Sequence, residues 1–64
     1  MHGSVTEFDD ARGLGRLRAD DGTSYPFHCT QIADGSRTIA VGSEVEFDLA
    51  PRLGRYEAVG LTPR

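Results

Sequence analysis

The stretch VTEFDDARGLGRLRADDGTSYPFH, residues 5–28, decides the fold of this chain. It holds two short motifs, Gly13–Leu17 and Tyr25–His28, on either side of the turn signal Asp20-Asp21-Gly22. Two strands joined by such a turn lie side by side, and alternate residues of each strand share a face. We therefore predict a hairpin with one outward patch, made of Leu14, Arg16, Pro26 and His28.

Short apolar segments separated by glycines continue along the chain. They predict five antiparallel strands, at 4–9, 14–19, 24–29, 44–49 and 55–62. Pro26 cannot donate to a strand ladder, so the third strand must be an edge at that point. Val5 and Phe8 break strict alternation, which predicts a bulge in the first strand. Residues 30–33 predict one helical turn and residues 38–41 a short extended segment, and no stretch is periodic enough for a stable helix.

The fourth strand gives the clearest pattern, because Val45, Phe47 and Leu49 alternate with acidic residues. Gly15 falls on the inner face of the second strand, which fits a tightly curved wall where another backbone comes close. Five strands in so short a chain favour a closed barrel, which leaves no exposed edge. The predicted core consists of Val5, Leu17, Phe27, Ile32, Val45, Phe47 and Leu61.

Length and charge limit the function classes. Sixty-four residues make one domain, 1–64, and seven arginines with no lysine face ten acidic residues, for a net charge of −3. Nucleic-acid binders normally show a basic excess, so an acidic balance counts against that class without excluding a local basic stripe. Cys29 has no partner for an internal disulfide. With no membrane-spanning run and no signal-peptide pattern, we expect a cytoplasmic protein.

The order and spacing of several motifs resemble the bacterial cold-shock domain over nearly the whole chain, from Gly3 to Thr62. The motifs are Gly3-x-Val5-x-x-Phe8-Asp9, Gly13-Leu14-Gly15-x-Leu17, Asp21-Gly22, Phe27-His28-x-x-x-Ile32, Gly42-x-x-Val45-x-Phe47 and Glu57-Ala58. The resemblance implies an all-β, five-stranded antiparallel Greek-key barrel of the oligonucleotide-binding type. It also implies single-stranded RNA or DNA as ligand, with aromatic residues of two ribonucleoprotein motifs on strands two and three stacking on bases.

Most of those aromatic residues are missing here. Where the family has Lys-Gly-Phe-Gly-Phe, this chain has Arg12-Gly13-Leu14-Gly15-Arg16, and where it has Val-Phe-Val-His-Phe, this chain has Tyr25-Pro26-Phe27-His28-Cys29. Glu7 replaces the familiar Trp of the first strand, and Ser36 replaces an aromatic residue in a later loop. Each base stacked on an aromatic ring contributes roughly 1–3 kcal/mol, so losing four such platforms weakens binding by about a thousandfold.

The candidate nucleic-acid-binding residues are those that match the family or could replace its contacts: Phe8, Arg12, Leu14, Arg16, His28 and Arg37. Arg16 could recover part of the lost affinity, since a guanidinium can stack on a base and pair with phosphate. Arg18 could extend the basic stripe, and Arg52 and Arg55 are weaker candidates at its rim. The alternatives are that Phe8 is core, that His28 has no role, and that the arginines pair with neighbouring acids. Glu7 would repel phosphate.

Neither catalysis nor a bound metal or cofactor is predicted. Cys29 with His2 and His28 gives no zinc-binding spacing, and Asp20-Asp21 fits turn chemistry better than acid–base catalysis. Two functions remain. The first is weak, non-catalytic binding of single-stranded RNA or DNA with low sequence specificity. The second is a protein-interaction module on a barrel that has lost nucleic-acid binding.

Overall fold

Turn residues divide the chain into five strands that form a single antiparallel sheet. The computed structural model describes all 64 residues. Its elements are β1 (His2–Asp9), β2 (Leu14–Ala19), β3 (Ser24–His28), a 3₁₀ turn (Cys29–Gln31), β4 (Glu44–Arg52) and β5 (Arg55–Pro63). The strands lie in the order β3-β2-β1-β4-β5, and every ladder is antiparallel. The predicted all-β fold with five antiparallel strands is confirmed, and no helix is long and apolar enough to cross a membrane.

The sheet curls until its two end strands, β3 and β5, pack against each other. They share no ladder; instead Ile32, just after the 3₁₀ turn, forms a parallel bridge with Leu61 of β5. The N–H of Ala33 donates to the carbonyl of Leu61 at 2.8 Å. Pro26 lies on the unpaired edge of β3, as predicted, where its missing N–H costs no ladder bond. The prediction of a closed barrel without exposed edges is therefore wrong: the sheet stays open, and its two end strands meet only by packing and through this one bridge.

A small apolar core fills the curled sheet. All seven predicted core residues are buried, and the bulge predicted in β1 lies between Val5 and Glu7. Tyr25 and Phe8 are half-buried and pack against this core. The buried apolar residues are Val5, Leu17, Ala19, Phe27, Cys29, Ile32, Val45, Phe47, Ala58 and Leu61.

Besides shifts of one or two residues at one end of β1, β3 and β5, element boundaries differ from the prediction in three places. β4 runs on to Arg52 because the chain reverses at Leu53 and Gly54, whose φ angles of 41° and 84° suit a two-residue hairpin turn. The helical turn begins one residue early, at Cys29, because the His28 side chain caps it. Residues 38–41 form no strand. Side chains hold this loop instead, since the Thr38 hydroxyl donates to Asp10 at 3.0 Å.

Gly15 lies where β1, β2 and β3 approach closely, as the sequence predicted. A Cβ atom at this position would overlap the Phe27 ring and lie 2.9 Å from the carbonyl oxygen of Glu7. We therefore expect Gly15→Ala to displace Phe27 and destabilise the protein by about 1–3 kcal/mol, the usual cost of overpacking. Thermal unfolding followed by circular dichroism measures this. Arg18→Ala, at an exposed position of the same strand, is the control and should melt like the wild type.

Candidate nucleic-acid interface

The hairpin of β2 and β3 brings the four predicted patch residues together. Leu14 is the direct cross-strand partner of His28, and Arg16 is the partner of Pro26. Residues paired in this way have side chains on the same face of the sheet. Leu14 keeps 47% of its surface exposed, so it belongs to the outward surface and not to the core. The outward patch predicted from residues 5–28 is therefore present.

An open hollow of about 420 Å³ lies beside this patch. Its apolar lining comes from Phe8, Leu14, Pro26 and Phe27, and its charged lining from Glu7, Asp9, Arg12, Arg16 and Arg55. We call this cavity, with these residues, the interface hollow. Four of the six candidate binding residues thus lie on one cavity: Phe8, Arg12, Leu14 and Arg16.

Phe8 belongs both to the core and to the hollow. Its ring stacks almost parallel to Phe27, with centroids 6.0 Å apart and an angle of 8° between the planes. Phe27 is buried whereas Phe8 is only half-buried, so part of the Phe8 ring faces the hollow. The two interpretations of Phe8 from sequence, core residue and stacking platform, are therefore compatible.

The charged residues of the hollow differ in whether they already have partners. Arg12 Nε lies 4.0 Å from Asp9 Oδ2, and Arg55 Nη2 lies 3.4 Å from Glu57 Oε2. Neither Arg16 nor Glu7 forms a side-chain hydrogen bond or ion pair, although the two are direct cross-strand partners on β2 and β1. Arg16 and Glu7 are therefore the charged groups of the hollow that are free to meet a ligand.

The net charge of the hollow is opposite in sign to the net charge of the whole chain. Three arginines and two carboxylates line it, which gives one net positive charge, whereas the chain carries −3. Much of the acidic excess lies on the outward face of β4, where Glu44, Glu46 and Asp48 are exposed. The hollow therefore carries a small local positive charge from Arg12 and Arg16 of the predicted stripe together with Arg55, whereas Arg18 does not line it.

His28 and Arg37 do not line the hollow. The Nδ1 atom of His28 accepts a hydrogen bond from the backbone N–H of Thr30 at 3.2 Å and so caps the 3₁₀ turn. In the neutral ring this leaves the proton on Nε2, which is available to donate. Arg37 lies in the loop before β4 with φ at 59°. Of these two predicted residues, only His28 adjoins the patch, through its pairing with Leu14.

The other polar candidates take part in local structure. Asp21 Oδ1 accepts from the N–H of Thr23 at 2.9 Å, and this bond lowers the pKa of Asp21 below its ordinary value. Cys29 is a buried free thiol beneath Gly13. No group of three or more His, Cys, Asp or Glu side chains is placed to hold a metal ion.

Sequence reasoning underestimated Arg55. The sequence places it in a loop at the rim of such a groove, which makes it a weaker candidate, yet it begins β5 and lines the same cavity as Arg16. No local motif marks it. Arg55 lines the hollow because the curled sheet brings the first residue of β5 toward β1 and β2. This contact can be seen only in the three-dimensional structure.

Comparisons with known proteins agree with this fold. A family model described as the 'Cold-shock' DNA-binding domain matches residues 1–63. The solved structure of drosophila Unr CSD456 is similar, with a TM-score of 0.78 and 30% identity over 94% of this chain. The alignment covers 24% of the Unr chain, so the present chain spans about a quarter of that protein's length. No curated protein sequence matches.

Proposed function

The chain belongs to the cold-shock domain family, and from this membership we propose that it binds single-stranded RNA or DNA without catalysing a reaction. Binding is weak and has low sequence specificity along most of the strand. The observation that carries the proposal is the interface hollow, where the unpaired Arg16 lies beside apolar surface in an otherwise acidic chain. The buried thiol of Cys29 fits a reducing compartment such as the cytoplasm.

The composition of the hollow supports a phosphate-dominated mode of binding. Arg16 can pair with a phosphate directly, and Arg12 and Arg55 can exchange their weak, exposed ion pairs for phosphate contacts. The aromatic surface available for stacking is limited to part of Phe8. Phosphate contacts hold a strand without reading its sequence, while stacking and base-edge contacts supply most of the remaining affinity. Low affinity and low specificity follow from this imbalance.

Salt dependence tests the proposal. Each phosphate neutralised on a single strand contributes about −0.7 to the slope of log K against log salt, so three arginines give a slope of about −2. On strands without guanine, where Arg16 meets phosphate, we expect Arg16→Ala to weaken binding whatever the sequence and to make the slope shallower by about 0.7. Fluorescence anisotropy with labelled seven-nucleotide strands at several salt concentrations measures both quantities.

Arg64→Ala is the matched control, because it removes the same charge beside β4, outside the hollow. Arg64→Ala should reduce the affinity less than Arg16→Ala does, and it should change the salt slope less. Equal effects of the two variants would mean that net charge, and not the hollow, governs binding.

The second candidate function is that of a protein-interaction module. The exposed acidic face of β4, with Glu44, Glu46 and Asp48, favours a basic protein partner over nucleic acid. Absence of binding to any single strand at low salt would reject the first function and favour this one.

A further inference from the structure

We propose that the interface hollow selects a guanine base, with Glu7 and Arg16 reading two adjacent edges of that base. The inference rests on the proposed binding of single strands and adds a specificity to it. One nucleotide of the bound strand is then chosen by hydrogen bonds, while its neighbours are held through their phosphates.

Glu7 and Arg16 are the charged residues of the hollow left without a partner. Arg12 lies near Asp9, and the Asp9 carboxylate also accepts from the N–H of Ala11 at 3.1 Å. Arg55 is occupied by Glu57. Glu7 and Arg16 are both exposed and stand directly opposite each other across β1 and β2. Directly opposite residues have Cα atoms about 4.5–5.5 Å apart, so both side chains can reach one base.

Guanine is the base whose edges match this pair. Its N1–H and N2 amino group are adjacent donors, which a carboxylate accepts with its two oxygens. Its O6 and N7 are adjacent acceptors, which a guanidinium meets with two N–H groups. Thymine and uracil offer one N–H between two carbonyls, and adenine and cytosine offer one amino group beside an acceptor nitrogen. Neither of these two patterns gives two donors to Glu7 and two acceptors to Arg16.

The apolar lining gives the base a surface to lie on. Leu14 is half exposed, Pro26 is half-buried and the ring of Phe8 is partly accessible, and all three line the same hollow. The Glu7 carboxylate loses hydration when any strand binds beside it, and this costs binding free energy. The cost is offset only when a base donates hydrogen bonds to the carboxylate. Pairing with guanine turns this unfavourable charge into a source of discrimination.

Modified bases test the inference atom by atom. The probes are a labelled seven-thymidine strand and the same strand with one central guanine, hypoxanthine or 7-deazaguanine. Since one good bidentate contact discriminates by about fivefold or more, we expect the guanine strand to bind at least about fivefold tighter than the thymidine strand at low salt. Hypoxanthine lacks the N2 amino group and 7-deazaguanine lacks N7, so each should lose part of this advantage.

Variants assign the contacts to residues. In Glu7→Gln an amide donor replaces one acceptor oxygen, so the two-oxygen contact is lost and the preference for guanine over hypoxanthine should shrink. Glu44→Gln is the matched control: it makes the same charge change on the outward face of β4 and should keep the guanine preference. Both positions are exposed, so both variants should fold, as circular dichroism will check. A preference for guanine over hypoxanthine that is undiminished in Glu7→Gln would overturn the inference, whereas a remaining preference for guanine over thymidine is expected from Arg16.

Further outcomes separate this inference from the proposed function. Equal binding of all four strands would leave the proposed function standing and overturn the guanine site. No binding of any strand at low salt would overturn both. Free guanosine monophosphate should compete only at concentrations far above those of the guanine strand. If it competes equally well, the site takes a free nucleotide, and guanine within a strand is not the ligand.

Discussion

Phe47→Ala is expected to leave the protein largely unfolded at room temperature. Phe47 is 3% exposed, and its ring packs against Tyr25 with centroids 6.2 Å apart. Truncating a buried phenylalanine costs about 3–5 kcal/mol, because apolar contacts are lost and a cavity remains. A domain of this size has little more stability than that in total. Circular dichroism during heating, together with urea titration at 25 °C, measures the loss.

Tyr56→Ala provides the control for aromatic truncation as such. Tyr56 lies on β5 with 58% of its surface exposed, so its removal should change stability by no more than about 0.5 kcal/mol. If Phe47→Ala melts like the wild type, the core in solution is not the one described, and the inward register of β4 is wrong.

Strand patterning explains how much of the fold the sequence predicts. In β4, Val45 and Phe47 alternate with acidic residues, and a one-residue slip would bury charge, so the register follows from the sequence. In β3, Pro26 could only lie at an edge. These are local constraints, and each one correctly predicted a feature of the sheet.

Features that depend on side-chain bonding or on distant segments were not predicted. The cap that His28 provides shifts the 3₁₀ turn by one residue, and a leucine in the left-handed region at Leu53 extends β4 beyond the predicted end. Arg55 enters the interface hollow only because the sheet curls. The predicted patch of the hairpin was therefore correct, whereas the cavity beside it could be recognised only in three dimensions.

The hollow also explains why missing aromatic residues need not mean lost function. The resemblance implies stacking residues at the positions of Leu14 and Arg16 and a tryptophan at the position of Glu7. In this chain those positions supply an apolar surface, a guanidinium and a carboxylate on one cavity. On the guanine proposal, this exchange replaces general stacking with groups that can read base edges. Wild-type affinity for a strand without guanine should consequently be low.

Restoring aromatic residues should reverse this exchange. We expect the triple variant Glu7→Trp, Leu14→Phe and Arg16→Phe to bind oligothymidine at least tenfold tighter than the wild type. Each new ring can add up to roughly 1–3 kcal/mol of stacking, and removing Glu7 also relieves its repulsion of phosphate. All three positions are exposed, so the barrel should remain folded. Fluorescence anisotropy measures the affinity, and thermal unfolding checks the fold.

The control introduces one tryptophan and two phenylalanines on β4, on β5 and just after β5, as Glu44→Trp, Thr62→Phe and Arg64→Phe. It makes the same net change in charge at exposed positions away from the hollow, and it should not raise affinity. If the first triple variant folds and binds no better, the patch on β2 and β3 is not the binding face. If the wild type already binds oligothymidine tightly and the variant weakens it, the departures from the family are not losses. The arginines would then form a recognition surface of their own, one that does not depend on stacking.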